Sequence, residues 1–188
     1  MLKRFMRELV ETVVLAVIIL AGLEISVQTY RVEGSSMEPT FDQGQYIVVN
    51  KMAYLDIDPK YVVPMLQFTD VDIDEYIGPL NLPDRGDIVV FSFPRDPSRD
   101  FIKRVIGVPG DEIEIRSGEV FVNGDNLGEP YLSFKSIISM ETTKIPEDAY
   151  FVLGDNRALS NDSRFWGSVP FDNIKGKAWI TYWPLNWF

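Results

Sequence analysis

An apolar segment near the N-terminus constrains the fold of this chain more than any other feature. Its uninterrupted part, Thr12–Leu23, has 12 residues between Glu11 and Glu24, a length that fits the hydrophobic region of a cleavable signal peptide. Counted over Leu9–Gln28, the segment has 20 residues, which would form a helix of about 30 Å with each glutamate near a bilayer interface. No convincing Ala-x-Ala cleavage sequence follows. We therefore favour an uncleaved transmembrane helix over residues 9–28.

The charges on either side of this segment predict its orientation. Three basic residues precede it: Lys3, Arg4 and Arg7. Two acidic residues and one basic residue follow it: Glu24, Arg31 and Glu33. Because basic flanks remain on the cytoplasmic side, we expect a single-pass protein of the plasma membrane. Residues 1–8 would form a cytoplasmic tail, and residues 29–188 would form one domain outside the cytoplasm.

The remainder of the chain has the sequence pattern of a mainly β domain. From Tyr30 onward the apolar residues form short runs, alternating or continuous, and we see no convincing long amphipathic helix. The runs that predict strands are Tyr46–Val49, Asp87–Phe93, Ile102–Val108, Glu112–Ile115 and Glu119–Val122. The turn dipeptides Ser117-Gly118 and Asn123-Gly124 predict two hairpins, and Pro109-Gly110-Asp111 predicts a further turn.

Residues 53–84 interrupt this regular pattern with acidic and apolar side chains. The acidic groups suggest a divalent cation, but an EF-hand loop counted from Asp70 would need Gly and Glu where Glu75 and Asn81 stand. We therefore interpret these residues as a solvated insertion, either a docking element beside the site or a loop without a role.

The composition excludes several kinds of active site and partner. The chain has no Cys and no His, so disulfides, thiolate metal sites, histidine-based zinc sites and histidine-containing triads are all absent. A general base must therefore be Lys, a carboxylate or Tyr. The net charge of −10 argues against a nucleic acid partner, because phosphate binding needs a basic surface.

Three stretches carry residues that could perform chemistry with this restricted set. Gly34–Thr40 is a rigid turn with two hydroxyls close to the membrane segment, although the same residues are common in linkers. Lys103 lies in an otherwise apolar strand, where it would be either an interior base or a charge on an edge strand. Gly154–Gly167 combines Asp, Asn, Ser and Arg, and such a loop can be rigid without a catalytic role.

Taken together, these stretches resemble the conserved boxes of bacterial type I signal peptidases. Ser36-Met37-Glu38-Pro39-Thr40 resembles the first box. Arg85–Phe91 and Lys103–Asp111 look like the next two boxes. Gly154–Arg157, Ser160 and Asp162-Ser163-Arg164 match the last box, and the order and spacing of all four agree with the family. The resemblance covers nearly the whole chain except residues 56–83.

The resemblance implies a membrane-anchored serine endopeptidase that cleaves signal peptides from exported preproteins and needs no cofactor or metal. It implies two antiparallel β-sheets in the extracytoplasmic domain and a preference for small side chains at the first and third positions before the cut. Ser36 would be the nucleophile, Lys103 the general base and Ser160 the residue that orients the lysine. The residues that would shape the site are Asp155, Arg157, Asp162 and Arg164.

One position departs from the pattern of some family members. Those members have a serine two residues before the nucleophile, where its side chain helps to bind the oxyanion, whereas this chain has Gly34. The oxyanion would therefore be bound by backbone N–H groups, those of Ser36 and Gly34 being the candidates.

Two other functions remain as alternatives. A self-cleaving repressor also uses Ser and Lys, but it would have a DNA-binding helical module where this chain has an apolar segment. An inactive anchored domain that only binds peptides would not explain Lys103 together with Ser36. The aromatic C-terminal residues Trp179, Tyr182, Trp183, Trp187 and Phe188 predict a contact with the bilayer interface, although core packing explains Trp179 equally well.

A lysine can act as base at neutral pH only if its pKa is lowered. An ordinary lysine has a pKa near 10.4, so only about one in 2,000 is neutral at pH 7. Burial among apolar strand residues disfavours the ammonium ion and can lower the pKa of a lysine by several units. A lysine with a pKa of about 7–8 can take the Ser36 proton and later return it to the leaving amine. Arg104 next to it stays protonated and cannot replace it.

Overall fold

The computed structural model describes residues 2–54, 81–132 and 136–183, and consists of an N-terminal helix followed by two antiparallel β-sheets. The helices are α1 (Leu2–Ser26) and α2 (Ser163–Trp166), with 3₁₀ turns at Lys51–Tyr54 and Phe171–Asn173. The strands are β1 (Val27–Arg31), β2 (Tyr46–Asn50), β3 (Ile88–Phe93), β4 (Asp96–Gly107), β5 (Glu112–Arg116), β6 (Glu119–Val122), β7 (Asp125–Asn126), β8 (Met140–Lys144), β9 (Ala149–Leu153), β10 (Val169–Pro170) and β11 (Ile174–Trp183).

The apolar segment forms a helix that is long enough to cross a bilayer. Its apolar part, Arg4–Ser26, has 23 residues and a mean hydropathy of 2.2, and none of it is buried against the rest of the protein. At 1.5 Å per residue it extends about 35 Å, more than the roughly 30 Å of a hydrocarbon core. The helix ends at Ser26, so Val27 and Gln28 of the predicted anchor belong to β1 instead.

The larger sheet has seven strands in the order β1-β2-β11-β3-β4-β9-β10. Its central strand β3 is buried on both faces: Val89 and Phe91 pack into one apolar cluster, and Val90 packs into another. This explains the continuous apolar run in the sequence of β3, because a strand covered on both sides has no polar face. The sheet thus provides a rigid, dry support for the strand that carries Lys103.

The smaller sheet has the order β7-β6-β5-β8, and its apolar side chains share one cluster with residues of β4 and β9 of the larger sheet. Both hairpin turns predicted from the sequence are confirmed, since Ser117-Gly118 joins β5 to β6 and Asn123-Gly124 joins β6 to β7. Ser117 and Asn123 have φ of 48° and 54°, and the glycines that follow have φ of 85° and 89°. Two successive residues with positive φ give the turn that matches the twist of an antiparallel pair.

The prediction of a mainly β domain with two antiparallel sheets is confirmed. The five predicted strands correspond to β2, β3, β4, β5 and β6. The alternative in which Lys103 lies on an edge strand is wrong, because β4 pairs with β3 on one side and β9 on the other. Core packing of Trp179 is also wrong, since 66% of this residue is exposed. Residues 55–80 of the predicted insertion, together with Trp187 and Phe188, lie outside the described residues.

Candidate active site

The loop Gly34–Thr40 follows β1 and places Ser36 over the larger sheet; we call it the nucleophile loop. Met37, next to Ser36, is fully buried and anchors the loop in the protein. Burial of a side chain of this size contributes roughly 1.5–3 kcal/mol. Two turns shape the loop, one closed by the hydrogen bond from Glu38 N to Ser35 O (3.3 Å) and one from Phe41 N to Met37 O (3.0 Å). The position of Ser36 is therefore fixed by its neighbours on both sides.

Lys103 approaches Ser36 from β4, where it pairs with Val89 of β3. Its amine donates a hydrogen bond of 2.7 Å to Ser36 Oγ and another of 2.9 Å to the carbonyl of Ile102. Only 4% of Lys103 is exposed, and its Nζ lies 5.6 Å from the centre of the Phe101 ring. A hydroxyl and an amine at this distance can exchange a proton directly.

The surroundings of Lys103 give it the pKa that a base needs. Burial lowers the pKa of Lys103 from its ordinary value of 10.5 to about 8, although the nearby carboxylates of Asp162 and Asp155 act in the opposite direction. At pH 7 about one lysine in ten is then neutral, compared with about one in 3,000 for a lysine of ordinary pKa. The amine is therefore available to accept a proton at neutral pH.

Asp155 connects the nucleophile loop to β4. Its carboxylate accepts hydrogen bonds from Arg104 Nε (2.8 Å), Arg104 Nη2 (2.6 Å) and the hydroxyl of Thr40 (2.5 Å). The ion pair is almost completely buried, with 13% of the Arg104 side chain and 1% of the Asp155 side chain exposed. The guanidinium balances the charge of Asp155. The carboxylate can therefore lie near Lys103 without strongly stabilising the ammonium form of that lysine.

Asp162 and Arg164 hold the residues 154–164, which we call the polar loop. Asp162 accepts hydrogen bonds from the Gly154 N–H (3.1 Å) and from Arg164 Nε (2.8 Å). Arg164 in turn donates to the carbonyl of Arg157 (2.7 Å). The Asn156 N–H donates to the carbonyl of Ser36 at 3.0 Å, so the polar loop is bonded directly to the residue beside the lysine.

Ser160 lies in this environment but does not contact the lysine through a hydrogen bond. Its hydroxyl is buried, and within the described part of the chain it has no hydrogen-bond partner. A Cβ built on Gly154 would lie 2.2 Å from Ser160 Oγ and 2.5 Å from the Ser36 carbonyl oxygen, which places all three residues together. In this structure the second hydrogen bond of the Lys103 amine goes to the carbonyl of Ile102. The role of Ser160 in orienting Lys103 therefore stays a prediction.

Gly34 lies at the start of the nucleophile loop with φ of 78°, a conformation that favours glycine. A Cβ built at this position would meet nothing within 4 Å, so the space in front of it is open. Any oxyanion bound here would be held by backbone N–H groups, and the contribution of Gly34 and Ser36 remains a prediction.

An open cavity of 520 Å³ lies beside the Ser36–Lys103 pair. One wall is residues 30–36, and the other is residues 99–103 of β4. Ile47, Val90 and two residues of the polar loop, Leu159 and Asn161, complete the lining. Residues 30–31 of β1 and 99–103 of β4 are extended, and the space between them is suited to an extended peptide.

Several residues that hold this site are not predicted from the sequence. The sequence indicates only that Arg104 cannot act as a base, and it assigns no role to Thr40, Glu129 or Tyr131. Glu129 pairs with Arg157, and the guanidinium of Arg104 lies 4.1 Å from the centre of the Tyr131 ring. Two adjacent cations in an apolar strand, Lys103 and Arg104, were the signal that could have indicated a buried anionic partner for the arginine.

The chain is similar in sequence to known proteins over most of its length. Residues 6–183 match the family described as signal peptidase, peptidase S26. The probable signal peptidase I-2 of Synechocystis sp. is 36% identical over 185 residues, covering 95% of this chain and 73% of that protein. Signal peptidase I of Bacillus caldolyticus is 36% identical over 188 residues, covering 92% of this chain and 89% of that protein. The crystal structure of a signal peptidase I from Enterococcus faecalis V583 covers 52% of this chain and 97% of that chain at 35% identity, with a TM-score of 0.47.

Proposed function

The chain belongs to the signal peptidase family, peptidase S26, and from this premise we propose that Ser36 and Lys103 carry out the cleavage of signal peptides from exported preproteins. The observation that carries the proposal is the hydrogen bond of 2.7 Å between Lys103 Nζ and Ser36 Oγ. A serine hydroxyl is a weak nucleophile unless an adjacent base accepts its proton, and Lys103 is the base in contact with it.

In the first half of the reaction, Ser36 Oγ attacks the carbonyl carbon of the scissile peptide bond. The neutral amine of Lys103 accepts the hydroxyl proton as the new C–O bond forms. The resulting ammonium then gives this proton to the nitrogen of the leaving mature chain, and the C–N bond breaks. The signal peptide is left as an ester on Ser36, and Lys103 is neutral again.

In the second half, water takes the place of the leaving amine. The water attacks the ester carbonyl, and Lys103 accepts a proton from this water. The lysine then gives the proton to Ser36 Oγ when the bond between Oγ and the acyl carbon breaks. The free signal peptide and the original enzyme result. Lys103 acts as base and acid in turn, so one group with a pKa of about 8 serves both steps.

The position of Ser36 close to the end of α1 supports a substrate that emerges from a membrane. Ser36 lies ten residues after Ser26, where the helix ends. Even a fully extended chain of that length would reach no more than about 36 Å. The cavity between residues 30–36 and 99–103 would hold the end of the signal peptide. By the resemblance, it would accept small side chains at the first and third positions before the cut.

The apolar helix α1 supports a location in the plasma membrane, and the basic residues that precede its apolar part support an N-terminus in the cytoplasm. The exposed aromatic side chains of β11 support a second contact with lipid. Trp179 and Trp183 are 66% and 58% exposed, and Tyr182 packs at 5.9 Å from Tyr46 on the neighbouring strand β2. Amphipathic aromatic rings favour the interface between headgroups and hydrocarbon.

The test is cleavage of a synthetic preprotein, with the products identified by mass. We expect Ser36→Ala and Lys103→Ala each to abolish cleavage, and the double variant to be no worse than either single variant, because the two residues act as a unit. Ser168→Ala and Lys144→Ala, which remove a hydroxyl and an amine elsewhere, should cleave at the rate of the unsubstituted protein. Cleavage by Ser36→Ala at more than a trace rate would refute the assignment.

A further inference from the structure

Glu129, in the segment between β7 and β8, forms a buried contact with the polar loop. Arg157 donates two hydrogen bonds to its carboxylate, one from Nη1 at 2.8 Å and one from Nη2. Only 2% of the Arg157 side chain and 7% of the Glu129 side chain are exposed. The hydroxyl of Tyr131 donates a further hydrogen bond of 2.8 Å to Glu129. A carboxylate outside the family boxes thus determines where a guanidinium of the polar loop lies.

From Arg157 a short series of contacts leads to the nucleophile. Arg157 Nε donates to the carbonyl of Gly154 at 3.2 Å, which fixes the turn at the start of the polar loop. Within that turn, the Asn156 N–H donates to the carbonyl of Ser36 at 3.0 Å. Ser36 carries the hydroxyl that receives the hydrogen bond from Lys103. Each contact joins main-chain or charged groups, so a displacement of Arg157 would be passed on to Ser36.

We propose that Glu129 is a positioning residue for signal-peptide cleavage, which holds the polar loop through Arg157 and so keeps Ser36 aligned with Lys103. This inference rests on the proposed function of the Ser36–Lys103 pair. Glu129 lies in the segment that connects β7 to β8 of the smaller sheet. The smaller sheet would thus contribute to a reaction whose base, Lys103, lies in the larger sheet.

The burial of the pair supports positioning rather than stability as its main effect. A buried ion pair adds little to stability compared with apolar residues of the same size, because the desolvation of both charges offsets their attraction. Two parallel hydrogen bonds between planar groups do, however, fix distance and angle. Misplacement of reacting groups by about 1 Å can reduce a rate by about 100-fold.

The chain contains a matched control for this contact. Arg116 donates two hydrogen bonds of 2.6 Å to Glu114, so the same bidentate chemistry occurs on β5. There, however, 56% of the Arg116 side chain and 28% of the Glu114 side chain are exposed. Glu114→Gln removes the same charge from an arginine that does not belong to the polar loop.

The experiment measures kcat and KM of the full-length protein in detergent or vesicles with a synthetic preprotein. We expect Glu129→Gln to lower kcat by about 10- to 100-fold and to change KM much less, by about twofold. Residues 30–36 and 99–103 form most of the cavity lining and do not belong to the polar loop, which contributes only Leu159 and Asn161. Glu114→Gln should keep both constants. In an Arg157→Gln background, Glu129→Gln should cause no further loss, because Glu129 acts through that guanidinium.

The pH dependence provides a second readout that a loss of global stability would not change. If the polar loop is displaced, water reaches Lys103 and its ammonium form is favoured. The acidic limb of kcat/KM should then move to higher pH in Glu129→Gln and stay in place in Glu114→Gln.

Glu129→Asp tests the same proposal if Glu129→Gln does not fold. It keeps the negative charge but shortens the side chain by one CH₂, so the two parallel hydrogen bonds are lost, and we expect kcat to fall by about 10-fold. A variant at Glu129 that melts at a lower temperature yet keeps kcat and the acidic limb would overturn the proposal, as would a rise in KM alone. Such a result would leave the Ser36–Lys103 assignment intact, because that assignment is tested separately by Ser36→Ala.

Discussion

At the scale of single residues, the site depends on the cost of burying an amine. Lys103 lies in β4 next to apolar neighbours, and this burial lowers the pKa of Lys103 to about 8. The two nearby carboxylates raise this pKa but do not outweigh burial. Each has a guanidinium of its own, Arg104 for Asp155 and Arg164 for Asp162. The charges around the lysine are thus balanced pair by pair, and the amine remains the group that can change its protonation near neutral pH.

This account predicts how the stability of the protein changes with pH. Because the pKa of Lys103 is about 8 when folded and 10.5 ordinarily, the unfolded chain binds the proton more tightly. The ammonium therefore destabilises the fold below pH 8, and this cost disappears as the pH rises to 10.5. Relative to Lys103→Met, the unsubstituted protein should gain up to about 3 kcal/mol of unfolding free energy between pH 8 and 10.5. The measurement is denaturant unfolding of both proteins at several pH values, and a constant difference would contradict the prediction.

At the scale of elements, the site forms where the nucleophile loop, strand β4 and the polar loop meet. Gly154 lies at this meeting point, because a Cβ there would come within 2.5 Å of the Ser36 carbonyl oxygen and still closer to Ser160 Oγ. The polar loop can approach the backbone of the nucleophile loop so closely only because Gly154, its residue at the contact, has no side chain.

Gly154→Ala should therefore separate the two loops and reduce the rate of cleavage by about 100-fold or more. Gly107→Ala is the matched control, since a Cβ there would lie 2.4 Å from the end of the Ile145 side chain, in the core of the smaller sheet. It should lower the melting temperature while kcat stays within a few-fold. Rates and melting temperatures of both variants check this, and normal turnover by Gly154→Ala would show that the loops need not touch.

The elements that sequence reasoning predicted are those with a local signal. β3 has an unbroken apolar run, and the two hairpins have turn dipeptides that permit positive φ. β11 was missed because Lys175, Gly176 and Lys177 interrupt its pattern and its aromatic residues point outward. The identity of the partners of Arg104 and Glu129 could not be predicted either, because these partners are 51 and 28 residues away and meet them only after the sheets pack.

At the scale of the whole molecule, the anchor and the exposed aromatic residues belong to the same half of the larger sheet. α1 leads directly into β1, and β1, β2 and β11 are the first three strands of the sheet order. Trp179 and Trp183 on β11 are exposed. The part of the sheet that is joined to the helix therefore also presents aromatic rings. Only Val32 and Glu33 separate β1 from the nucleophile loop.

The orientation of the molecule in the membrane can be tested on spheroplasts with an unbroken plasma membrane. If the basic residues before the helix stay in the cytoplasm, a protease added outside spheroplasts should digest the chain from residue 30 onward. A tag placed before Met1 should be protected until the membrane is permeabilised. Protection of the domain together with digestion of the tag would reverse the proposed topology.

The most direct test of the central claim, that neutral Lys103 is the base for Ser36, is the pH dependence of kcat/KM. Cleavage of a soluble peptide substrate without titratable side chains should be followed from pH 6 to 10. The account predicts a single acidic limb with an apparent pKa of about 8, above which kcat/KM is constant, because only the neutral amine of Lys103 can accept the proton. A profile that is flat across pH 7–9, or a limb at the ordinary lysine pKa of 10.5, would contradict it.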